Sequence, residues 1–114
     1  MAIAVVAGAL GAKPGNGGEA WVRLSWALGL RRLGFDVWLD EELDREAAAA
    51  GAEFFARTVE SFGLGSRARL LVPGAGDEEG RTELEELAGE AVALVNISGN
   101  LRDPRLLERF RRRA

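Results

Sequence analysis

The sequence predicts an α/β domain, an open, doubly wound parallel sheet of about four strands with helices on both faces. Two features carry that expectation. Short apolar, β-branched runs alternate with longer helix-patterned stretches along the chain, and the connections between them span only a few residues, as in repeated strand-helix crossover units. The first run, IAVVA at Ile3 to Ala7, is apolar throughout rather than alternating, which a strand covered on both faces requires.

Each element follows in order. Gly8 bounds the first strand. From Gly18 to Leu33, the residues Trp21, Val22, Leu24, Trp26, Leu28, Leu30 and Leu33 cover much of a helix, and Gly34 stands where a terminating glycine belongs. Trp21 and Trp26 have apolar helical neighbours and are expected in the core rather than stacked on a ligand ring. Phe35 to Leu39 (FDVWL) reads as the second strand, and Asp40, Glu41 and Glu42 after it as a solvated turn ahead of the next helix, with ribose binding or base catalysis as the other reading. Arg45 to Phe62 is alanine-rich, with Phe54, Phe55, Val59 and Phe62 on one face and Gly63 as a stop. Arg69 to Val72 is the third strand, closed by Pro73 and Gly74. Arg81 to Ala91 forms a short helix with Leu84, Leu87 and Ala88 on one side, and Val92 to Ile97 is the fourth strand. Asp103 caps a last helix with Pro104 at its first position, expected to run to Arg113. With no repeat and no linker, residues 1–114 read as a single Rossmann-like domain with strand order 3-2-1-4.

Composition narrows the chemistry. There is no cysteine and no histidine, which removes a disulfide framework, a thiolate nucleophile, a zinc cluster and Ser-His catalysis from this chain's own side chains. Fifteen basic residues against eighteen acidic ones leave a net charge of -3, the wrong sign for a nucleic-acid binder. The run Arg109, Arg111, Arg112, Arg113 reads as helix-terminal cations that complement the dipole. No segment reaches the length of a membrane span, and no basic region precedes the first apolar run, so a cytoplasmic chain is expected.

The candidate site is the crevice beyond the carboxyl ends of the strands, where order 3-2-1-4 reverses between the first strand and the fourth. One wall is the glycine-rich stretch GALGAKPGNGGEA at Gly8 to Ala20, in which backbone amides and the positive end of a helix can approach an anion closely. Gly15, Asn16, Gly17, Gly18 and Glu19 are the binding candidates there, Glu19 being also explained as a favourable charge in a first helical turn. The facing wall is NISGN, whose Asn96, Ser98 and Asn100 can both donate and accept hydrogen bonds, as hydroxyl-rich ligands require; the same residues also suit a plain turn. Gly15-x-Gly17-x-x-Ala20 with Asp40 about 20 residues on matches a dinucleotide fingerprint, but the loop from Gly8 is longer than that motif allows. Lys13 precedes Pro14, so the phosphate-loop pattern is missing.

The stretch IAVVAGALGAKPGNGGEAWVRLSWALGLRRLGFDVWLDE resembles the start of a GT-B-type glycosyltransferase: a first strand, a loop with a Gly-Gly pair at Gly17-Gly18, then a helix ending LRRLGFDV at Leu30 to Val37. The resemblance covers about the first 40 residues and continues beyond them in the order of elements. It implies an N-terminal, acceptor-side half that faces a second domain across a cleft and helps move a sugar from a nucleotide-sugar donor to an acceptor. That half needs a second domain or chain to be active, needs no cofactor, and places Gly17 and Gly18 near the donor phosphates or the acceptor. The alternatives are a stand-alone nucleotide or sugar-phosphate binding module, and a non-catalytic interaction domain pairing, as a homodimer or with a partner, through an open sheet edge.

Overall fold

The computed structural model describes residues 2–8, 10, 17–74, 78–96 and 101–113. Four strands, β1 (Ile3–Ala7), β2 (Asp36–Glu42), β3 (Ala68–Leu71) and β4 (Ala93–Val95), form one sheet in the order β3-β2-β1-β4. All three pairings are parallel, with Ala7 opposite Asp40 and Asp40 opposite Arg69 in register. Between them run α1 (Gly17–Arg32), α2 (Arg45–Ser61), α3 (Glu78–Glu90) and, after β4, the short α4 (Pro104–Leu107). The expected Rossmann-like α/β class and strand order are those observed.

Strand alternation sorts the core into two layers. Val6, Val37 and Leu39 point to one face and pack with Leu24 and Ala27 of α1 and Phe55 and Val59 of α2. Val5, Ala7, Leu71 and Leu94 point to the other and pack with Leu84, Leu87 and Ala88 of α3 and with Leu106 and Phe110.

Two helix ends share one device. In α1 the amide of Gly34 donates to the Arg31 carbonyl and that of Phe35 to Leu30; in α2 Gly63 donates to Glu60 and Leu64 to Val59. Both are double-bonded glycine caps, and φ is +98° at Gly34 and +72° at Gly63, a region a side chain makes costly. At the other end of α2, the Asp44 carboxylate accepts from the Ala47 amide at 2.7 Å.

Three expectations are corrected. Trp21 and Trp26 are exposed, not core, because α1 meets the sheet through the small and medium residues Leu24 and Ala27; Trp26 lies on the far side of the helix and Trp21 at its flank, the ring 6.5 Å from that of Phe62. Asp40, Glu41 and Glu42 are not a solvated turn; β2 runs through them because β1 pairs as far as Asp40 and β3 as far as Glu42. The last helix stops at Leu107, and the tail turns back so that the Leu94 amide donates to the Arg112 carbonyl at 2.9 Å and Leu94 bridges Arg113 in parallel. Arg111 to Arg113 therefore lie beyond the helix, against the β4 edge, rather than at a helix C-terminus. Asp103 does cap this helix, accepting from the Leu106 amide, with Pro104 at its start.

Candidate functional site

Three consecutive carboxylates close the carboxyl end of β2, and the alternation of the strand gives each a separate task. Glu41, 1% exposed, points toward the α1–α2 face and accepts the Leu10 amide at 2.6 Å. The chain leaving β1 is thereby held over β2, a hold reinforced by the Gly8 amide on the Asp40 carbonyl at 2.7 Å. Gly8 leaves room for it: a Cβ there would stand 3.1 Å from the Glu41 Oε1.

Glu42 points to the other face. Its Oε1 accepts the amides of Arg102 at 2.9 Å and Asp103 at 2.7 Å, which ties the segment after β4 to the end of β2. Asp103 is itself held by Arg81 of α3, whose Nη2 lies 2.7 Å from both carboxylate oxygens. Burial alone would raise the Asp103 carboxyl; the Arg81 hydrogen bond, the Leu106 and Arg105 amides and the Arg81 charge outweigh it and keep the group below its ordinary range. Asn96 completes the clamp. Its side-chain amide donates to the Leu101 carbonyl at 2.8 Å and its Oδ1 accepts the Leu101 amide at 3.0 Å, which draws the two ends of the 96–101 loop together.

Asp40, between these two clamps, is 1% exposed and faces the α3 side, and among the described residues neither carboxylate oxygen has a hydrogen-bond partner. Burial pushes its carboxyl up to about 7, the Arg69 guanidinium pulling against the rise and Glu83 adding to it. Arg69 is committed to Glu83 at 2.9 Å and lies 5.0 Å above the Trp38 ring, which it shares with Arg67.

The sequence-predicted residues divide as follows. Gly17 and Gly18 are the first two residues of α1, and Glu19 lies in the same first turn, so the amides of the glycine pair are among those a helix leaves without an internal acceptor. Asn96 sits at the carboxyl end of β4 with its side chain engaged by Leu101. Lys13, Gly15, Asn16, Ser98 and Asn100 fall outside the described residues. Glu41 and Glu42, read from the sequence as a turn or as ribose-binding or basic groups, instead hold backbone amides, and Arg81, which no sequence motif marked, holds a neighbouring carboxylate.

The fold is a parallel α/β domain of Rossmann-like class, in which the acidic end of β2 holds Leu10 after β1 and Arg102 and Asp103 after β4. No family model, curated protein or solved structure matches the chain. Among the described residues no group of three or more side chains could hold a metal ion, the β2 carboxylates pointing to alternate faces, and no helix is long and apolar enough to cross a membrane.

Proposed function

We propose that this chain is the N-terminal, acceptor-side half of a GT-B-type glycosyltransferase, acting in the cytoplasm and completed by a second domain or chain. The observation that carries the reading is the junction of β1 with α1: the glycine pair opens the helix at the carboxyl end of the sheet, next to the switch point between β1 and β4. In this reading the Gly17 and Gly18 amides and the positive end of α1 stabilise charge on the pyrophosphate leaving group of a nucleotide-sugar donor. That is an electrostatic role, and it needs no titrating side chain. Ser98 and Asn100 orient acceptor hydroxyls, between Asn96 and Leu101, which are hydrogen-bonded to each other. Glu41 and Glu42 hold the Leu10 and Asp103 amides, on either side of the proposed site.

A ligand that binds only the folded chain raises its thermal midpoint. Nucleoside diphosphates of uridine, guanosine and thymidine are expected to raise it by several degrees at saturating concentration, with NAD and free phosphate weaker. The double substitution Gly17→Val, Gly18→Val is expected to abolish the rise while leaving the unliganded midpoint within a few degrees of the parent. A flat response to all three diphosphates counts against the reading.

A further inference from the structure

Asp40 is a buried carboxyl whose two oxygens find no hydrogen-bond partner among the described residues, yet a guanidinium stands beside it. Arg69 is its register neighbour on β3, and the side chains of register partners leave the same face of a parallel sheet, from strands about 4.8 Å apart. That guanidinium is turned elsewhere. Its Nε and Nη2 lie 3.0 and 2.9 Å from Oε1 of Glu83 on α3, and its Nη1 donates to the Ala68 carbonyl at 2.8 Å. We propose that Arg69 has two alternative acceptors, Glu83 at the surface and Asp40 inside, and that ionisation of Asp40 draws it inward, releasing α3 from the β3 edge.

Solvent exposure sets the order of preference. The Arg69 and Glu83 side chains are 33 and 51% exposed, so water screens their attraction and solvates both when they part. An ionised Asp40 at 1% exposure has no water to turn to, and a cation within reach stabilises it far more than it stabilises Glu83. While the carboxyl keeps its proton the preference reverses, because a neutral acid does not compete with a carboxylate for a guanidinium. The observed contacts, Arg69 on Glu83 and Asp40 without a partner, are those of the protonated form.

The surroundings single out Arg69. From β1 the register neighbour is the apolar Ala7; on β2 itself Trp38 and Glu42 share the face, and Glu42 is taken by the amides of Arg102 and Asp103. From α3, Glu83 faces the group with Glu86 and Glu90 further along the helix, and Arg81 is bound to Asp103 at 2.7 Å. Arg67 and Arg69 lie 5.2 and 5.0 Å above the Trp38 ring, but Arg67 is paired with Asp36 at 2.9 Å, at the amino end of β2. Trp38 therefore keeps one cation when Arg69 leaves. Leu84, Leu87 and Ala88 hold α3 on the sheet in either state, so the exchange loosens one side of the helix and not its packing. Burial pushes the Asp40 carboxyl up to about 7, which places both states on either side of neutrality.

The test follows the side chains separately by NMR of the full chain labelled with ¹³C and ¹⁵N, between about pH 5.5 and about pH 9. The Asp40 carboxyl carbon is expected to titrate near 7, with the Arg69 Nε–H and the Glu83 carboxyl carbon moving at the same midpoint. In Asp40→Asn the Arg69 and Glu83 signals are expected to stay at their low-pH positions throughout. In Glu83→Gln, which removes the rival acceptor, the Asp40 midpoint is expected to fall by about one pH unit or more, with Arg69 following it. An Asp40 that titrates while the Arg69 Nε–H stays still, or that shows no titration in this range, overturns the proposal. So does a Glu83→Gln chain with the parent's midpoint, or an Arg69 signal that moves equally in Asp40→Asn.

Discussion

At pH 8, Asp40→Asn is expected to be more stable than the parent chain by roughly 2–4 kcal/mol, and at pH 4 the two are expected to differ little. Burial lifts the Asp40 carboxyl from 3.8 to about 7, so the folded chain binds this proton more tightly than the unfolded one does. The sign follows. Below pH 3.8 both states are protonated and the group costs nothing through ionisation. Between that value and about 7 the unfolded state releases its proton while the folded state keeps it, so this group's contribution to stability falls as pH rises and levels off above about 7. Asparagine fills the same space and never ionises. The difference in unfolding free energy between the two proteins, measured by urea denaturation from pH 4 to 8, isolates the effect from the chain's other carboxylates. Asp103, for one, works in the opposite direction, since its carboxyl is held low and its contribution is lost as the pH falls into its titration range. A difference that stays flat across the pH range would show that Asp40 is ionised freely and is not dry.

Arg81→Met is the second large effect, expected to destabilise the chain by about 3 kcal/mol at neutral pH, because it strips a mostly buried carboxylate of its cation. The Arg81 and Asp103 side chains are only 17% and 11% exposed, so water can replace little of what is lost. The consequence spreads along the clamp. Asp103 caps α4, and its own amide is held by Glu42, so loosening it frees the segment that crosses the end of the sheet. Pairing the change with Asp103→Asn, which keeps a capping oxygen but removes the charge, is expected to recover at least half of the loss. Additive single effects in this double-mutant cycle would mean that the two side chains are not coupled.

Much of the fold was legible because its signals are local. IAVVA could be read as a doubly covered strand from its own letters, and Gly34 and Gly63 marked helix ends where both turn out to have positive φ. Asp103-Pro104 likewise marked a cap that depends on neighbouring residues alone. What the sequence left open was set by pairing across distance. Nothing within Asp40-Glu41-Glu42 distinguishes a turn from a strand end; β3, paired through Leu71, decides it. The tryptophans of α1 misled because the helix carries large apolar residues on nearly every side, and only the sheet, by selecting Leu24 and Ala27, shows which side is covered. The return of Arg112 and Arg113 to Leu94 depends on an edge 18 or so residues earlier in the chain, beyond any helical period.

The place of the glycine pair was legible for the same reason. Glycines before a helix announce free amides, so Gly17 and Gly18 were found at the start of α1. The carboxylates that hold the chain at the end of β2 act on backbone amides at separations of 31 residues for Glu41 with Leu10 and 61 for Glu42 with Asp103, and no spacing rule reaches that far.

The most direct test of the account is the amide spectrum of the ¹⁵N-labelled chain titrated with uridine diphosphate. Shifts are expected at Gly8, Leu10, Gly17, Gly18 and Leu101 to Asp103, the two walls of the crevice, with the outer face of α1 unchanged. A spectrum that does not respond, or one whose changes fall on α2 or α3 instead, would contradict the assignment of the carboxyl end of this sheet as the ligand site.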